Sequence, residues 1–98
     1  MKHVEKMMEL INFLEGVRKK YKMCTINDIA DSAGVTRQTV YNTLMADREP
    51  NAYVVMAYIS KILWELEHNY FKLALDAGVQ EEEAIADRQN LILMMSMM

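Results

Sequence analysis

The sequence predicts an all-α fold, a small bundle of five to six helices. Apolar residues recur at steps of three and four through most of the 98 residues, the period of helices with one buried face. Only 3 Gly and 1 Pro leave little room for the repeated turns of an all-β fold. At 52% hydrophobic the chain has ample material for one core, and its length suits a domain that removes roughly 60–65% of its unfolded surface from water.

The first helix is read from about residue 3 to 21. Val4, Met7, Met8, Ile11, Leu14 and Val17 mark one face, and Leu10 and Phe13 widen it. Lys2, Glu5, Lys6, Glu9 and Glu15 fall on the wetter side. Arg18, Lys19, Lys20 and Lys22 cluster at its end, where positive charge complements the helix dipole. The same cluster is suited to phosphate contact. The sequence leaves both roles open.

"CTINDIADSAG" is a short, strongly punctuated helix. Thr25 fits an N-cap, with Asp28 three residues on as a shortened capping box, and Cys24 and Ile29 take the hydrophobic-staple positions. Cys24 is therefore read as a packing residue rather than a reactive thiol. Ile26, Ile29, Ala30 and Ala33 form the buried face, and Gly34 sits where a left-handed backbone ends the helix. Thr36 caps a third helix at once, with Val35 and Val40 as a second staple. So short a link forces the axes to turn sharply. Val40 and Leu44 point inward, which leaves Arg37, Gln38, Tyr41 and Asn42 outside.

After the loop "ADREPN", Asn51 caps an apolar stretch that runs to a Gly78 stop, as one helix or as a pair broken between Ser60 and Leu63. It carries two stripes: Val55, Ile59, Ile62, Leu66, Tyr70 and Leu73, and separately Trp64, His68, Phe71 and Leu75. Two stripes imply two buried surfaces. A last helix starts at "QEEEAIADRQN", with Glu81–Glu83 at its positive dipole end, and leads into the apolar "LILMMSMM". His68 is read as a packing or rim residue.

Composition excludes several classes. One cysteine permits no internal disulfide and no Cys-rich metal site. No nucleophile–base pair, phosphate-cradling glycine loop or metal set appears, so neither catalytic residues, cofactor nor metal is expected. The longest apolar run is far short of the ~20 residues of a membrane span, and charges interrupt Met1–Glu9 where a secretory leader would be apolar. The expectation is a cytoplasmic protein. Net charge is −3, unevenly placed: residues 1–50 hold 8 Lys/Arg against 7 Asp/Glu, and residues 51–98 hold 3 against 7.

Arg is suited to guanine and Gln or Asn to adenine, and Tyr can donate to phosphate. No acid lies between Val35 and Ala46. "TINDIADSAGVTRQTVYNTL" resembles the helix-turn-helix of bacterial and phage transcription regulators, with Ala30, Gly34, Val35, Thr36 and Val40 at the family spacing. The surrounding helices favour the Cro/phage-repressor (XRE, Cro/C1) type, and the stretch is locally similar to LacI and TetR headpieces. The resemblance implies a lambda-repressor-like bundle that binds duplex DNA with a recognition helix of about 36–45 in the major groove. It implies that Arg37, Gln38, Tyr41 and Asn42 face the groove, with Thr25, Thr36, Thr39 and Arg48 toward the backbone. Thr43 departs from the family, which has an apolar residue there; Leu44 is expected to pack instead.

Residues 1–78 are read as the DNA-binding domain and 79–98 as a helical extension. An apolar chain end calls for burial. The expectation is a homodimer interface of Trp64, His68, Phe71, Leu75, Leu91, Ile92, Met94 and Met95, with fold-back over the Trp64/Phe71 stripe as the alternative. A dimer would set two recognition helices about 34 Å apart on successive grooves. The rival reading is a protein-interaction module on the same scaffold, an antitoxin, anti-repressor or phage accessory protein, with the acidic half and apolar tail as its working surfaces. In either reading a regulatory protein partner fits the lack of an effector domain.

Overall fold

A computed structural model describes residues 2–45 and 50–97. The side chains of residues 2–4, Val4 among them, and the whole of Arg48 lie outside the described residues. Six α-helices follow one another: α1 Lys2–Lys20, α2 Ile26–Ala33, α3 Arg37–Met45, α4 Ala52–Tyr58, α5 Trp64–Ala77 and α6 Glu81–Ser96. No strand occurs among the described residues. The fold is a small all-α bundle.

The predicted break in the apolar stretch takes a milder form. Ile59–Leu63 is a π-helical segment joining α4 to α5 without interruption of the chain's helical course. A wider turn of this kind rotates the faces before and after it relative to one another. Val54, Val55, Ala57, Tyr58, Ile62 and Leu66 all reach the core from this continuous run. A second irregularity follows at Asn69 (φ −126°, ψ 23°), a kink within α5.

Leu10, Ile11, Leu14 and Val17 of α1 meet Ile29 and Ala30 of α2, Val40 of α3 and the α4–α5 run in one core. α6 joins the same core through Ala84 and Leu91, packing against α5 and α1. Residues 79–97 are thus laid against the body rather than held off it. Its placement is fixed by polar anchors at both sides. Asp87 accepts from Lys20 Nζ at 2.7 Å and from the Tyr21 hydroxyl at 2.6 Å. Arg88 Nε donates to the Glu67 carbonyl at 3.0 Å, just before the Asn69 kink, and its guanidinium lies over the Tyr70 ring. No helix among the described residues is long and apolar enough to cross a membrane.

Candidate nucleic-acid interface

Local capping builds the α2–α3 corner. The Asp28 N–H donates to Thr25 Oγ1 at 3.2 Å while Asp28 Oδ2 accepts from the Thr25 N–H at 2.9 Å, a full capping box. That donor, first of all, holds the Asp28 carboxyl below its usual range. Gly34 closes α2 at φ +70°, a conformation L side chains adopt only at a cost. Its own N–H reaches Asp31 O at 3.3 Å and the Val35 N–H reaches Ala30 O at 3.0 Å, the paired bonds of a Schellman end. Three residues, Gly34–Thr36, then separate α2 from α3. Thr36 Oγ1 accepts from the Thr39 N–H at 3.2 Å and caps α3.

The inner face of α3 differs from expectation at one position. Thr43, rather than Leu44, takes the covered site: Thr43 is 6% exposed and Leu44 only half-buried. The Thr43 hydroxyl donates to the Thr39 carbonyl one turn back, at 2.8 Å. This back-bond satisfies the hydroxyl and lets its methyl pack, so a polar residue type fills an apolar site.

The outer face of α3 carries Arg37, Gln38, Tyr41 and Asn42, all exposed. Gln38 Nε2 donates to Asn42 Oδ1 at 2.9 Å. The Gln38 amide oxygen and the Asn42 amide NH2 take no part in that bond, which leaves an acceptor and a donor on this face. Thr36 and Thr39 share a hydroxyl contact at 3.0 Å. Thr25 is exposed at the start of α2, its oxygen engaged as a cap but its hydroxyl proton still available. Arg48, also expected toward the backbone, lies outside the described residues.

The basic cluster at the end of α1 divides in two. Arg18 pairs with Glu15 at 2.6 and 2.8 Å and donates to the Cys24 carbonyl at 3.0 Å. Lys20 pairs with Asp87 and, at 3.0 Å, with Glu83. Both are internal ties. Lys19 stays exposed although its Nζ lies 3.8 Å from Glu15, and Lys22, also exposed, adopts a left-handed backbone (φ +52°) in the turn toward α2.

Glu15 is the hub of the Arg18 network and also accepts from the Tyr58 hydroxyl at 3.0 Å. Burial pushes the Glu15 carboxyl upward, but bonds from Arg18 and Tyr58 and the Arg18 and Lys19 charges outweigh it, so its net shift is downward. Burial, then the Glu15 charge, raises the Tyr58 hydroxyl. The network joins α1, α4 and the carbonyl one residue before the α2 cap. It thereby sets how the α2–α3 corner sits on the bundle. Burial raises the Cys24 thiol beside it, which suits a packing role.

The expected interface residues separate. Trp64, Phe71 and Leu75 are 55%, 57% and 71% exposed, and His68 is exposed beside Trp64 with ring centroids 4.7 Å apart. Ile92 is open as well. Leu91 is corrected: at 1% exposure its own chain covers it, because α6 folds against α1 and α5. Met94 and Met95 are half-buried against the same core. The fold-back does not cover the Trp64/Phe71 stripe. Reading by stripe missed the exposed Tyr53 and Met56 of α4; their spacing of three was the available signal.

Among the described residues no group of three or more His, Cys, Asp or Glu could hold a metal ion. A cleft of about 380 Å3 is lined by Met23, Cys24, Ser60, Lys61, Glu65 and Leu73, on the π-helical side of the bundle. No protein-family model, curated protein or solved structure matches the chain.

Proposed function

We propose that this protein binds duplex DNA sequence-specifically as a homodimer and acts as a small transcription regulator, with the N-terminal half of α3 in the major groove. One observation carries the reading. A capped helix, hung on a three-residue turn, presents a guanidinium, two amides and a phenol to solvent and no acid. Arg37 supplies the guanine donor pair, and the coupled Gln38 and Asn42 amides supply the donor and acceptor that adenine needs. With Arg18 and Lys20 tied internally, affinity depends on Arg37 and the remaining exposed cations, and on two copies acting together.

A second reading, a protein-interaction module, is favoured by the exposed Trp64, Phe71 and Leu75. Fluorescence anisotropy separates the two. A DNA binder loses affinity with salt at a log–log slope near −0.9 per phosphate neutralised, and Arg37→Ala/Gln38→Ala abolishes its sequence preference. A folded protein with no duplex binding at low salt would overturn the proposal.

A further inference from the structure

The exposed aromatic and aliphatic side chains of α5 fall at steps of four, three and four, from Trp64 through His68 and Phe71 to Leu75. That is the spacing of a two-helix seam. Two aromatics and a leucine open along one helix are an unusual thing to leave in water.

We propose that a second copy of this chain packs antiparallel along α5, with the two-fold axis at the level of Asn69 and Tyr70. This rests on the homodimer of the function proposed above and names its contact face. Trp64 and Leu75 lie equally far from that level, as do His68 and Phe71. An antiparallel copy therefore sets Trp64 on the partner's Leu75 and His68 on the partner's Phe71, twice each. A groove of about 220 Å3, lined by Phe71, Ala74, Leu75 and Val79, opens beside Leu75. The register brings the partner's Trp64 to its mouth. The Asn69 kink falls at the axis and divides the seam into two equivalent halves.

Charge suits the antiparallel arrangement. Glu65 and Lys72 flank the same side of the seam, seven residues apart and beyond the reach of a pair within one helix. Neither is in an ion pair among the described residues. In antiparallel packing each Glu65 faces the partner's Lys72; in parallel packing the same flank of the two helices lies on opposite edges of the seam, so Glu65 does not meet the partner's Lys72.

The area fits a reversible contact. Aromatic side chains present ~150–250 Å2 each, so Trp64 and Phe71 at their exposures leave on the order of 200 Å2 in water. With Leu75 and His68 the seam supplies roughly half of the ~800 Å2 per partner of a standard interface. Groove walls and the charged flanks extend it, within the class of weaker, concentration-dependent associations.

Sedimentation equilibrium of the full chain at low salt tests this, with Glu65→Lys, Lys72→Glu, an equimolar mixture of the two, and Phe71→Asp; circular dichroism checks that each is folded. The wild type is expected to form a dimer that dissociates on dilution. Each single charge variant weakens it about tenfold, two exposed pairs of ~0.2–1 kcal/mol being turned from attraction to repulsion. The mixture restores association to within about threefold of wild type, because each variant complements the other across the axis. Phe71→Asp is monomeric. A wild type that stays monomeric, or a dimer indifferent to the charge variants and their mixture, overturns the proposal. DNA anisotropy is read separately: a dimer of this register without DNA binding refutes the DNA reading and leaves the seam, and DNA binding by a monomer refutes the seam and the homodimer and leaves DNA recognition by α3.

Discussion

Replacing Glu15 by alanine removes the acceptor shared by Arg18 and Tyr58. Arg18 Nε and Nη2, at 2.6 and 2.8 Å, and the Tyr58 hydroxyl, at 3.0 Å, all lose their partner. The Tyr58 side chain is fully buried, and the Arg18 and Glu15 side chains are 13% and 15% exposed. An unsatisfied buried donor costs about 1–3 kcal/mol, and breaking a buried ion pair from one side costs about 3–5 kcal/mol. Arg18 keeps the Cys24 carbonyl and some solvent, so the loss expected for Glu15→Ala is about 2–4 kcal/mol, toward the lower part of those ranges. Tyr58→Phe leaves Glu15 with Arg18 and costs only about 1 kcal/mol. Urea unfolding followed by circular dichroism measures both, with unchanged m-values as the check on two-state behaviour. The acid limb gives an independent reading. The folded-state pKa of Glu15 lies below its unfolded value, so its contribution is fully present above about pH 4.3 and fades as pH falls through the folded value. The gap between wild type and Glu15→Ala should therefore narrow below that pH. A Glu15→Ala cost under about 1 kcal/mol at neutral pH would refute the claim that this network seats the α2–α3 corner.

Other consequences can be checked on the same footing. Gly34→Ala keeps an open site but puts a side chain at φ +70°, and should cost about 1–2 kcal/mol in the same unfolding assay. Thr43→Val preserves shape and removes a hydroxyl bonded only within its own helix, so stability should change by less than about 1 kcal/mol, with DNA binding intact. Asp87→Ala removes the Tyr21 tie and one of the two Lys20 ties to α6, leaving Lys20 with Glu83, and should raise hydrogen exchange across 81–96 well before global unfolding. If α6 amides stay as protected as those of α1, the Asp87 anchor is not what holds the segment down.

What could be read from the chain beforehand was local. Thr25 with Asp28, Gly34, Thr36, Asn51 and Gly78 act within a few residues of themselves, and each stands where sequence reading put it. Asn51 Oδ1, for example, accepts from the N–H groups of Tyr53 and Val54. The α3 outer face was legible for the same reason: a cap and one buried valine orient the whole short helix. What escaped depends on partners far along the chain. Lys20 meets Asp87 across 67 positions, and no pattern around "RKKYK" announces it. Leu91 looked like interface because an apolar end has no visible cover until α6 is seen against α1 and α5. Thr43 was misjudged by residue type, since its back-bond to Thr39 makes a hydroxyl compatible with burial. The π-helical segment falls where the sequence allowed a break between Ser60 and Leu63, but the stripes fitted one helix or a broken pair alike and named no wider turn.

The central claim is that α3 reads DNA, and the most direct measurement is anisotropy of a duplex pool titrated with the full chain at low and physiological salt, beside Arg37→Ala/Gln38→Ala. The account expects selective binding that weakens steeply with salt, and loss of about 1–3 kcal/mol of discrimination for each base contact removed. A folded protein that binds no duplex at low salt, or binds with the same selectivity after both substitutions, would contradict it.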